Sequence, residues 1–161
     1  MSDIVTIGKS IIDWLLSKNE KRTAQIESYL KKIQETCNEL IEIENPRSEK
    51  AALLHEQIKV IEDQASKRLP KSLIDREGWD LYRGLSSARI YYWLRVFIHA
   101  NDSDQLQVLI NERRFFSSPS FDTILPLVSK PYSEIDKESL INIRENCLSD
   151  IAKLFEIQPF F

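Results

Sequence analysis

Residues 3–12 read DIVTIGKSII, and the reading given to this stretch decides the fold of the whole chain. Gly8-Lys9-Ser10 has the form of the closing residues of a phosphate-binding loop, which would make the protein an α/β nucleotide hydrolase. Such a loop needs a buried strand before it and an earlier glycine, so that successive backbone N–H groups can wrap the phosphates. Asp3 holds the position of that glycine, and its carboxylate repels phosphate. The two residues ahead of it leave no room for a strand, and no apolar run ending in Asp follows to hold magnesium. A helical period accounts for the same letters better. At about 100° per residue, Ile4, Val5, Ile7, Ile11, Ile12, Trp14, Leu15 and Leu16 share one side. Asp3, Thr6, Lys9, Ser10, Asp13 and Ser17 share the other. The apolar arc is roughly 200° wide, broader than one neighbour can cover. This helix is therefore expected to be buried on two sides, with Gly8 letting a neighbour come close.

The same periodicity recurs along the chain. Ile26, Leu30, Ile33, Cys37 and Leu40 form one seam, and Ala51, Leu54, Ile58, Ile61, Ala65 and Leu69 form a second. Between them Asn45-Pro46 stops the first helix, and proline suits the start of the next. So short a connection predicts an antiparallel hairpin. The apolar register shifts across residues 18–25, which favours a kink or break between residues 3–17 and the first seam. Asp75 is placed to cap a further helix running to about Ala100. Its second half, LSSARIYYWLRVFIHA, is apolar nearly all round and predicts the most buried element. QLQVLINERRFF suits a short helix, whereas SSPSFDTILPLVSKPY, with three prolines, reads as loops. Ser133 and Asp136 suggest a capping box opening a last helix with the seam Leu140, Ile143, Cys147, Ile151 and Leu154.

The chain is expected to be all-α: a single domain over 1–161, a bundle of four to five helices. It has a long N-terminal antiparallel helical hairpin and an irregular Pro-containing segment before the last helix. Its 161 residues, 42% hydrophobic and 29% charged, suit one closed core. A net charge of −3 disfavours nucleic acid as the main partner, because phosphate-gripping chains carry a basic excess. Cys37 and Cys147 lack metal or redox spacing and read as small buried hydrophobes. No secretory leader is recognised, and the densest apolar run, Ala88 to Ala100, is too short and too charged to span a bilayer. The cytoplasm is the expected location.

Candidate chemistry is sparse. His55 and His99 are the two histidines, and neither has metal-ligand spacing, so no metal or cofactor is expected. With three glycines, no nucleophile elbow can be assembled. Arg95 and His99 lie one helical turn apart, where they could polarise and deprotonate an RNA 2′-hydroxyl. Over these five residues the chain resembles the Arg-to-His motif of HEPN nucleases, which are also compact all-α domains. In that motif four to six residues separate the pair; here three do, and Val96 stands where a polar residue is usual. Against this stands a positive pair near a helix C-terminus, favoured by the helix dipole. Arg113, Arg114, Phe115 and Phe116 offer a basic–aromatic cluster that could dock on a partner. Tyr91, Tyr92 and Trp93 read as core and edge packing.

The function these features favour is a non-catalytic module that binds another protein or itself. Its candidate contact residues are Ile4, Ile7, Gly8, Ile11, Trp14 and Leu15 on the first helix, with Arg113, Arg114, Phe115, Phe116 and the apolar end Phe160 and Phe161. The alternative is a membrane-active bundle whose N-terminal amphipathic helix is released to insert, with Lys18, Lys21 and Arg22 beside it.

Overall fold

The computed structural model of the chain describes residues 3–17, 21–71, 79–100, 102–112 and 136–159. Among these residues there are six α-helices and no strand. The first, α1, covers Asp3–Leu15; α2 covers Ala24–Glu42 and α3 Glu49–Arg68. The longest, α4, covers Asp80–Ala100, followed by the short α5, Asp104–Glu112. The last helix, α6, covers Lys137–Ala152 and passes into a 3-10 turn, Lys153–Glu156. The all-α bundle expected from periodicity is what forms. Helices α1 and α2 are separate, which raises the count above the expected four to five.

The break between α1 and α2 has a local cause. Ser17 Oγ donates to the Trp14 carbonyl at 2.6 Å, closing the end of α1. Thr23 then accepts from the Ile26 amide as the N-cap of α2. Helix α3 begins at Glu49 rather than at Pro46: Ser48 is the N-cap, accepting from the Ala51 amide at 3.1 Å. Helix α2 ends at Glu42, ahead of Pro46, and Ser48 starts α3. At the far end of the chain, Asp136 is itself the N-cap of α6, accepting from the Glu138 amide, and not the third residue of a capping box. Ser133 and Asp75 lie outside the described residues.

Side-chain pairs fix the packing. Lys50 meets Glu39 at 2.8 Å, joining the start of α3 to the end of α2 in an antiparallel hairpin. Against α3, α1 runs parallel, since Gly8 lies on Ile61 and Asp13 meets Arg68 at 2.7 Å. An ideal Cβ on Gly8 would stand 2.7 Å from both Ile61 γ-carbons, so the expected close approach is real. Helix α1 packs on both α2 and α3, and this accounts for its wide apolar arc. Helix α4 packs against α2, α3, α5 and α6, and it is buried on all sides from Gly84 to Ile90. All three seams are buried, apart from half-exposed Ile26, Leu54 and Leu140 at their starts or flanks.

Candidate functional site

The residues singled out on α1 are in the core. Ile4, Gly8, Ile11, Trp14 and Leu15 are buried and Ile7 is half-buried. The apolar face that looked available to a partner is taken up by α2 and α3 of the same chain. Within the chain, Ile4, Ile7, Gly8, Ile11, Trp14 and Leu15 therefore serve the packing of α1. Arg113, Arg114, Phe115, Phe116, Phe160 and Phe161 lie outside the described residues. Lys9 is exposed and Ser10 half-exposed, as the wet side of α1.

Arg95 and His99 serve different ends. The Arg95 guanidinium donates to the carbonyl of Ile41 at 2.9 Å, to that of Ile43, and to that of Glu44 at 3.2 Å. The first belongs to the last turn of α2, the second to its C-cap and the third to the residue beyond it. A positive charge does sit at a helix C-terminus, but the helix is α2, not its own. His99 is exposed beyond it. The guanidinium that a nuclease would turn to its substrate is engaged with backbone.

The conspicuous chemistry is buried between α3 and α4. Along α4, Ser86, Arg89 and Trp93 follow one another by three and four residues; on α3, His55 and Glu62 lie two turns apart. Both spacings keep side chains on one face, and the antiparallel helices bring the faces together. Arg89 pairs with Glu62 Oε1, and Ser86 Oγ donates to Oε2 at 2.5 Å. His55 Nε2 accepts from Arg89 Nε at 3.1 Å and from Trp93 Nε1 at 3.0 Å. The Tyr92 ring stacks on the imidazole, with centroids 4.7 Å apart. Burial, then the charges of Arg89 and Lys59, push the His55 pKa down to about 3. The ring is therefore neutral, and two donors on Nε2 place its proton on Nδ1.

A serine, a histidine and a carboxylate in one cluster invite comparison with a hydrolase triad, and the connectivity answers it. A triad needs the serine hydroxyl to donate to the imidazole, with the carboxylate behind the imidazole. Here Ser86 donates to Glu62, and the His55 lone pair is filled by an arginine and an indole. What the cluster does is tie α3 to α4. A related contact ties α4 to α6, where Ser87 Oγ donates to Asp150 at 2.7 Å.

Sequence reasoning passed over this cluster, although it left a trace. Arg89 interrupts an apolar run, and His55 and Glu62 flank the second seam; a charged residue at such positions is buried only with a partner. Among cysteines, Cys37 and Cys147 are buried, and burial pushes the Cys37 thiol up to about 12, which keeps it protonated and inert. Among the described residues no group of three or more His, Cys, Asp and Glu side chains is placed to hold a metal ion. No family model matches the chain, no curated protein matches its sequence, and no solved structure matches its fold.

Proposed function

We propose that this protein is a non-catalytic helical interaction module, acting in the cytoplasm and working by binding another protein or itself. The observation that carries this reading is the internal connectivity of the buried polar cluster. Among the described residues, the buried polar groups Glu62, Arg89, His55 and Ser86 are bound to one another in the helix interface. This supports a reading in which the bundle acts through its surfaces. Leu53 and Ile141, 60% and 59% exposed on α3 and α6, are large apolar side chains held out on those surfaces.

The membrane-active reading is less favoured. Releasing α1 into a bilayer would strip Ile11, Ile12 and Leu15, all fully buried, from the core. Among the described residues no helix is long and apolar enough to cross a membrane.

The test is site-specific photo-crosslinking in cells, with the probe at Leu53, at Ile141 and at exposed polar Glu35 as control. A discrete protein adduct from either apolar position and none from Glu35 supports the module. Absence of discrete adducts, together with flotation of the purified protein on anionic vesicles and dye leakage from them, overturns it in favour of the membrane reading.

A further inference from the structure

The segment after α6 is held by one close glycine contact and by two contacts from Arg22. Leu154 and Ile157 are fully buried, while Phe155 and Glu156 between them are exposed. The segment lies against α2 and α4. Leu154 enters a notch in α4 that exists because residue 84 is glycine. A Cβ there would stand 2.6 Å from Leu154 Cδ2 and 2.7 Å from its Cγ. The α2 side supplies polar contacts. Just ahead of the segment, Gln34 Nε2 reaches the carbonyls of Ile151 and Ala152, the last two residues of α6, at 3.5 and 3.4 Å. Arg22, just before α2, sets its guanidinium 4.6 Å from the centre of the Phe155 ring and donates to the Ile157 carbonyl at 3.5 Å.

Those hydrogen bonds are at the outer limit of useful length. Helix α6 does not depend on them: Ile143, Cys147 and Ile151 are buried in the core, and Asp150 is tied to Ser87. The terminal segment is thus bound as a peptide ligand is bound. One aliphatic side chain fills a notch, a second follows one turn later, an aromatic ring meets a cation, and a guanidinium reaches a backbone carbonyl.

We propose that the groove between α2 and α4 is the partner site of this module, and that the partner presents a short turn of pattern Leu-aromatic-x-Ile which displaces the chain's own residues 154–157. The inference rests on the reading of the protein as an interaction module. The seated segment defines what the site accepts. Because it is tethered, it competes with any partner, and apparent affinity is lowered by the fraction of time the groove is filled.

The experiment is a fluorescence-anisotropy titration of the full chain into a labelled synthetic peptide of residues 151–161. Wild type is expected to bind it weakly and saturably. Leu154→Ala, whose own segment seats less well, is expected to bind about tenfold tighter. Adding Arg22→Ala in that background is expected to remove the gain, and a peptide with Leu154 and Ile157 both changed to Ala is expected not to bind. Thermal melts establish that each variant is folded; if Leu154→Ala is not, Phe155→Ala loosens the segment from the surface side and is expected to give the same order. Equal affinity for wild type and folded variant, or saturable binding to neither, overturns the proposal. So does dimerisation of wild type that the peptide suppresses, which would put a second copy in the groove. If the peptide fails while crosslinks at Leu53 or Ile141 persist, the groove is purely structural and the module reading stands.

Discussion

Arg89 and Glu62 form an ion pair across the α3–α4 interface in which both side chains are buried, 8% and 0% exposed. A pair taken so far out of water is held by geometry: removing one member leaves the other desolvated without its charge partner. Arg89→Met is therefore expected to destabilise the fold by about 3–5 kcal/mol. Replacing both, Arg89→Met with Glu62→Leu, is expected to recover most of that loss, since no charge is then buried. Urea denaturation of the two singles and the double measures this; a double as unstable as the sum of the singles would mean that the two side chains act independently and are not coupled as a pair.

His55 makes stability depend on acidity in a defined window. Its folded pKa, about 3, is below its unfolded value of 6.5. Between these the unfolded chain binds the extra proton, so stability rises with pH and is lost as pH falls from about 6.5 towards 3. The slope from this residue approaches about 1.4 kcal/mol per pH unit. Carboxylates titrate in the lower part of the same window, so the measurement is a difference. Urea midpoints at pH 7 and pH 5 are expected to separate more for wild type than for His55→Gln, which keeps an acceptor but does not titrate.

The contact of Gly8 with Ile61 sets two propensities against each other. Alanine favours a helix over glycine by about 1 kcal/mol. Its Cβ, however, would lie 2.7 Å from two carbons of a fully buried isoleucine. Overpacking of this kind costs about 1–3 kcal/mol, so Gly8→Ala is expected to lower stability in spite of its better propensity. Ile61→Val does not relieve the clash, because both γ-carbons remain. Ile61→Ala does, and in that background Gly8→Ala is expected to become neutral or stabilising. Thermal melts of the four proteins close the cycle.

These residues show what the sequence carries and what it hides. The seams were legible because burial of Ile33, Ile58 or Ile143 depends only on helical phase, which each segment states locally. Gly8 was legible for the same reason, as a small residue on an apolar face. The α2–α4 groove was not, since Leu154 and Gly84 are 70 positions apart and only the fold brings them together. The polar cluster was half-visible: Arg89 is anomalous in its run, but only the register of α3 against α4 names Glu62 and His55 as its partners. The cover of Ile11 and Trp14 by α2 and α3 was not legible, because an apolar arc does not say whether its cover comes from the same chain.

Arg95 and His99, which sequence spacing puts on one helix face, separate by experiment. Arg95 supplies hydrogen bonds to three carbonyls at the end of α2, whereas His99 is exposed. Arg95→Ala leaves those carbonyls without the donor, and loss of a charged hydrogen-bond partner of this kind costs about 1.5–3 kcal/mol. Arg95→Lys is expected to recover only part of it, because an ammonium is a point charge and lacks the planar fork that spans several acceptors. His99→Ala, an exposed change away from such contacts, is expected to stay within about 0.5 kcal/mol of wild type. The two also part in function. If the pair is structural, His99→Ala is as active in partner binding as wild type and neither protein cleaves RNA. Cleavage by the purified protein that disappears in folded His99→Ala would instead make the pair a nuclease site and displace the interaction reading.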